Sequence, residues 1–167
     1  MSLFFTNCKQ KQVTRMGKKY FQTFKENRTM YSGSDDSIKF DAWEKDIQSK
    51  YRKYRVRNSK LKNVNIDGVN IKIICAAWCS DTREQASNFV KIMEQIQFPE
   101  EKIEYHFVDR NKKALNDTFV DSYEFTKVPT FVFYRDSIEL GSIIETPAET
   151  LEKDILWILG NKTSIKN

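Results

Sequence analysis

Trp78-Cys79-Ser80-Asp81-Thr82 is the stretch that decides how this chain folds. Just upstream lies Ile71-Lys72-Ile73-Ile74-Cys75-Ala76-Ala77, a nearly continuous apolar run of the kind that forms a strand buried on both faces. Just downstream, residues 83–97 read as a helix that places Ala86, Phe89, Val90, Met93 and Ile96 on one face, and Pro99 stops it. Cys79 therefore stands where a strand gives way to a helix. Unpaired N–H groups and the dipole at a helix N-terminus stabilise a thiolate, so a cysteine in that place is a candidate nucleophile.

Working outward, residues 103–108 form a second strand pattern, and residues 111–124 read as a helix with Leu115, Phe119 and Val120 inward. Val128-Pro129-Thr130 then heads the strand Phe131-Val132-Phe133-Tyr134. The segments 130–135 and 138–145 read as a hairpin turning at Asp136-Ser137. Thr146-Pro147-Ala148-Glu149 has the form of a capping box with proline at the first helical position. It would open a last helix with Leu151, Ile155, Trp157, Ile158 and Leu159 inward. Before the central strand, Asp67-Gly68 is a turn signal. Phe40, Trp43, Ile47, Tyr51 and Tyr54 stripe one face of an earlier helix, which Asp36 or Ser37 can cap. Residues 18–27 read as a short helix with Tyr20, Phe21 and Phe24 as its apolar residues, and residues 1–15 as a polar tail.

Residues 71–160, just over half the chain, resemble the thioredoxin family. Trp78-Cys79 matches the Trp-Cys that starts that family's active-site helix, and Val128-Pro129-Thr130 matches its cis-proline loop. The elements between and after them come in the family's order. More loosely, the chain is similar to bacterial family members in which Trp-Cys-x-Asp replaces Trp-Cys-Gly-Pro behind a helical extension. The resemblance implies an α/β fold, a thioredoxin-like three-layer α/β/α sandwich with a mixed central sheet and an N-terminal helical extension. The corresponding division is a tail with a short helix over 1–35 and the domain, with its own N-terminal helix, over 36–167. The resemblance further implies Cys79 as nucleophile and Pro129 as a cis-proline that presents the Val128 backbone to a substrate strand. Trp78, Ser80, Asp81 and Glu145 would complete the substrate-binding rim.

Three departures bear on activity. Thr82 replaces the resolving cysteine, so the motif cannot close its own disulfide. Ile73 stands where thioredoxins bury an acid, and Glu145-Thr146 replaces a glycine-containing loop. The Thr82 hydroxyl, three residues after Cys79, is placed to donate to the sulfur, and Arg83 to add positive charge. Glu145 is a candidate proton acceptor, or a solvent-facing glutamate at a strand end. Cys75, four residues upstream in an extended strand, would lie roughly 13 Å from Cys79, beyond disulfide reach. Three functions follow as expectations: a monothiol thiol–disulfide oxidoreductase, a non-catalytic binding or adaptor module, or a thiol peroxidase or redox sensor. Expected partners are protein thiols and disulfides or a low-molecular-weight thiol, with the chain a monomer.

Composition narrows the rest. A chain of 167 residues suits one domain with an extension. It has no run of eighteen apolar residues. The single histidine, His106, sits mid-strand, which argues against a Cys/His hydrolase and a histidine metal site. No phosphate loop or dinucleotide fingerprint is present, so neither cofactor nor metal is expected. Charge is lopsided: residues 1–63 carry sixteen Lys/Arg against six Asp/Glu, and the remainder twelve against seventeen. That split suits a basic extension on an acidic core, an anionic membrane surface or an acidic partner. Nucleic acid is not expected, because the basic run Arg52, Lys53, Arg55, Arg57, Lys60, Lys62 comes without a strand-binding architecture. Leu3-Phe4-Phe5-Thr6-Asn7-Cys8 looks like the tail of a bacterial lipoprotein signal whose apolar run is too short. Cys8 is thus a candidate lipid anchor, and the expectation leans to the bacterial envelope or periplasm, with the cytoplasm as alternative.

Overall fold

Four strands form one mixed sheet in the order β2-β1-β3-β4: β1 (Val69–Cys75), β2 (Ile103–Phe107), β3 (Thr130–Arg135) and β4 (Ile138–Ile144). The computed structural model describes residues 15–26, 37–114 and 116–160. β1 pairs parallel with β2, Ile71 opposite Ile103, and antiparallel with β3, Ile73 opposite Phe131. β3 pairs antiparallel with β4 through a two-residue turn in which Asp136 (φ 48°) and Ser137 (φ 68°) are both left-handed, the geometry that matches strand twist. The turn before β1 needs Gly68: its φ is +68°, and a Cβ there would lie 2.6 Å from the Asp136 carboxylate.

A parallel pair needs a crossover, and the helical path through the π-helical turn Thr82–Ala86 and helix α3 (Ser87–Gln95) supplies it. That path ends where Gln97 turns left-handed (φ 56°) and Phe98 N–H donates to the Met93 carbonyl, just before Pro99. α1 (Arg15–Glu26), α2 (Ser37–Lys53), α3 and α5 (Leu151–Gly160) share one large core with the sheet face that carries Ile71, Ile73 and Cys75. Phe89 is its centre, stacked on Phe131 at 4.7 Å with Phe133 at 6.1 Å. α1 belongs to this core. Tyr20 is fully buried, and its hydroxyl donates to Ser87 Oγ at 3.2 Å, since the Ser87 proton goes to the Arg83 carbonyl. In α2, Ile47 and Tyr51 are buried and Tyr54 follows half-buried; the side chains of Phe24, Phe40 and Trp43, and residue Asp36, lie outside what is described.

The opposite face carries a smaller cluster of Ile74, Ala76, Val108, Val120 and Val128, covered by the short helix α4 (Thr118–Ser122). The architecture is thus α/β with helices on both faces of a mixed sheet, the thioredoxin-like arrangement expected from the sequence. Lys72 fits into β1 because its aliphatic stem crosses this face and its ammonium sits 4.4 Å from the Phe119 ring centroid, 3.4 Å from Glu104.

Three local expectations need correction. The helix expected over 111–124 is only α4. The Asp109 carboxylate accepts the Asn111 and Lys113 N–H groups, the Asp117 carboxylate accepts those of Phe119 and Val120, and Lys112 and Asn116 turn left-handed, so a helix does not run continuously through these residues. Residue 115, expected inward, is outside the described set. The last helix opens at Thr150, whose hydroxyl accepts Lys153 N–H at 3.2 Å. Thr146 instead closes a turn onto the Ile144 carbonyl. Trp157, expected inward, is 67% exposed.

Candidate functional site

β1 ends at Cys75 and the chain turns at once. Cys79 N–H donates back to the Ala76 carbonyl at 3.1 Å, and Arg83 N–H donates to the Cys79 carbonyl at 3.2 Å. The first bond pins the turn and the second starts the helix. The π-helical winding that follows is a form concentrated at functional sites. Cys79 is half-buried, and its Sγ donates to the Val128 carbonyl at 3.3 Å. The Val128–Pro129 peptide bond is cis. The two stretches singled out in the sequence therefore meet at one sulfur.

Trp78 is half-buried beside Cys79; its indole N–H donates to the Val108 carbonyl at 3.2 Å, and the Arg110 guanidinium lies 5.4 Å from its ring centroid. That fixes the indole plane at the rim. Ser80 is exposed and Asp81 half-exposed. Thr82 is fully buried, and its hydroxyl accepts Ala76 N–H at 3.3 Å, so it braces the turn rather than meeting the sulfur. Arg83 likewise turns away, to Asp46 of α2 at 3.3 Å. Ile73 is fully buried in the large core, where it supplies no proton acceptor.

Glu145 does reach the site, though as a strut. Its N–H donates to the Pro129 carbonyl at 2.7 Å, and its carboxylate pairs with the Lys127 ammonium. That bond from Glu145, with its charge and that of Asp81 adding, raises the Lys127 ammonium above its ordinary value. Glu145 holds φ at 61°, a left-handed conformation that costs an L-residue roughly 1 kcal/mol. The Lys127 carbonyl accepts the Thr130 hydroxyl at 2.7 Å, so both ends of the proline loop are tied. Sequence reasoning missed Lys127. Its position directly before Val128-Pro129 was the available signal.

Cys75 is fully buried, and burial first, then the nearby Cys79, pushes its thiol well above the ordinary value. The extended separation expected between the two cysteines does not hold, because the chain turns at Ala76. What parts them is the sheet: Cys75 packs with the large core and Cys79 with the smaller cluster. Both are free thiols. Cys8 lies outside the described residues.

His106 is held structurally. Its Nδ1 meets Asp117 at 2.8 Å, and its ring packs 4.6 Å from Phe119. Burial alone would raise the Asp117 carboxyl; the bonds from His106, Val120 and Phe119 outweigh it and hold the carboxyl below its ordinary value. Among the described residues no group of three His, Cys, Asp or Glu side chains is arranged to hold a metal, and no helix is long and apolar enough to cross a membrane.

No family model matches the chain, and no curated protein sequence does. Among solved structures it is similar to mitochondrial thioredoxin 3 from Saccharomyces cerevisiae in its oxidized form. That likeness has 19% identity over 47% of this chain and 67% of that one, with a TM-score of 0.34. The fold assignment rests on the strand order, the register and the helical layers of this chain itself.

Proposed function

We propose that this thioredoxin-fold protein performs monothiol thiol–disulfide exchange at Cys79. The observation that carries the reading is the half-buried Cys79 sulfur, 3.3 Å from the Val128 carbonyl at a cis Val128–Pro129 bond, with a threonine at position 82. In the forward step the Cys79 thiolate attacks one sulfur of a disulfide R–S–S–R′. The Cys79–S–S–R bond forms, the S–S bond of the substrate breaks, and R′ leaves as a thiolate that takes up a proton. No second cysteine follows in the motif, so an external thiol, of protein or low-molecular-weight class, attacks the mixed disulfide and regenerates Cys79. Val128 would pair with the substrate backbone, and Trp78 with the Lys127–Glu145 strut would shape the docking rim.

A docking module without turnover is the second reading. One observation favours it: the Val128 carbonyl that would pair with a substrate is already taken by the sulfur.

Exposure of the full chain to glutathione disulfide tests the proposal. The expected product carries a glutathione adduct at Cys79 that persists until added thiol removes it. Cys79→Ser should lose the adduct. A Cys79 left unmodified under conditions that glutathionylate a small-molecule thiol would support the docking module instead.

A further inference from the structure

We propose that the basic groove at the C-terminal end of α2 docks onto the phosphate groups of an anionic lipid bilayer. Arg52, Lys53, Arg55, Arg57, Lys60 and Lys62 are all exposed. After Lys53 the chain leaves the helix: Tyr54 and Val56 pack half-buried against the large core while Arg55 and Arg57 stay exposed, the Arg55 guanidinium folding back to donate to the carbonyls of Arg52, Lys53 and Tyr54. The groove has a volume of about 520 Å³, and Lys53, Arg55, Arg57 and Lys153 line it. A second hollow of about 340 Å³ continues it across Tyr54 and Arg55; Arg52 lines it, together with Lys91 and Glu94, which pair with each other at 3.4 Å.

The carboxylates nearby do not cancel this charge. Glu152 lies in the groove wall but is only 6% exposed, and its carboxylate is engaged by the Arg57 backbone N–H at 3.2 Å and the Tyr54 hydroxyl. Lys153 pairs with Glu149. Among the described residues, the side chains of Lys53, Arg57, Lys60 and Lys62 form no ion pair. Lys53 and Arg57 in the groove, with Lys60 and Lys62 exposed in the turn that follows, suit an anionic bilayer, each unpaired cation at the surface adding roughly fivefold to partitioning.

The placement has a consequence for the thiol. The groove touches Lys91, Glu94 and Gln95 at the end of α3, whereas Cys79 precedes the start of that helical path. Residues 80–95 at helical rise separate the two by about 20 Å. A bilayer held by the groove would thus lie about 20 Å along this helical path from Cys79.

The test is cosedimentation of the full chain with vesicles of phosphatidylcholine, alone and with about a third phosphatidylglycerol. Binding is expected only to the anionic vesicles, and it should weaken steeply as salt shortens the screening length. Combined K53E, R57E, K60E and K62E should lower partitioning at least about 100-fold while leaving Cys79 alkylation unchanged. K53Q with R57Q, both lining the groove, is the milder variant and should cost about 20-fold. Equal binding of wild type and the milder variant would overturn the proposal. So would equal binding to neutral vesicles, displacement by inorganic phosphate beyond that by chloride of equal ionic strength, or tighter binding to an oligonucleotide or polyglutamate than to the anionic vesicles.

Discussion

Thr82→Cys is expected to convert a persistent mixed disulfide into a self-resolving one. Residues 79 and 82 stand three apart where the helical path begins, and neighbours at that spacing have Cα atoms roughly 5–6 Å apart, within disulfide reach. The Thr82 side chain is fully buried and already points at the turn that presents Cys79. A thiol there would attack the Cys79 mixed disulfide, close a disulfide between positions 79 and 82 of the variant, and release the substrate thiol. Insulin reduction driven by dithiothreitol should rise about 100-fold or more over wild type, since an intramolecular attack replaces an intermolecular one. The glutathione adduct should vanish in favour of a species lighter than the reduced variant by two hydrogens. The exchange sacrifices the hydroxyl that accepts Ala76 N–H, so stability should fall by about 1 kcal/mol. An adduct that persists in Thr82→Cys would mean that a thiol at position 82 cannot turn from the Ala76 N–H to the Cys79 sulfur, and the proposed self-resolution would be wrong.

The second large effect concerns α1. Tyr20→Ala is expected to destabilise the fold by about 3–5 kcal/mol, measured by urea unfolding, because it opens a cavity in place of a fully buried aromatic ring. Tyr20 packs 5.3 Å from Phe21 and 5.9 Å from Tyr105, and Phe21 in turn meets Tyr51 edge-on at 5.3 Å. Tyr20→Phe keeps this packing and loses only the bond to Ser87, so about 1 kcal/mol is expected. Burial pushes the Tyr20 phenol far up, so it stays neutral and the difference between the two variants should not change between about pH 6 and 9. A loss below about 1 kcal/mol for Tyr20→Ala would show that α1 is an appendage and not part of the core.

What the sequence revealed follows from range. β1, β3 and the turns at Asp67-Gly68 and Asp136-Ser137 are written in neighbouring residues; β3 and both turns stand where the pattern put them, and β1 runs two residues earlier than 71–77 because the chain already turns at Ala76. Trp78-Cys79 and Val128-Pro129 could be brought together on paper because each sits at the end of a readable strand. The failures come where two local signals compete. Thr146 and Thr150 are both able to cap a helix; the turn onto Ile144 claims the first, and Asp154, bonding Ala148 N–H at 2.7 Å, holds the intervening loop in place. Residues 111–124 had helical spacing, but two aspartates offered the backbone better local bonds. Trp157 fits the stripe of α5 by spacing alone, yet β4 is the last strand of the sheet and nothing described lies beyond it to cover the ring. The Lys127–Glu145 strut, the turn of Arg83 to Asp46 and the inward hydroxyl of Thr82 are tertiary choices. No local pattern announces them.

The central claim is that, of the two cysteines among the described residues, Cys79 is displayed at a strand-to-helix junction and Cys75 is sealed inside. Alkylation of the native protein by iodoacetamide at neutral pH, with each cysteine peptide followed by mass spectrometry, tests it most directly. Cys79 should be modified at least about 100-fold faster than Cys75, which burial keeps as an unreactive thiol. Comparable rates at the two positions, or a Cys79 that reacts only after denaturation, would contradict the account.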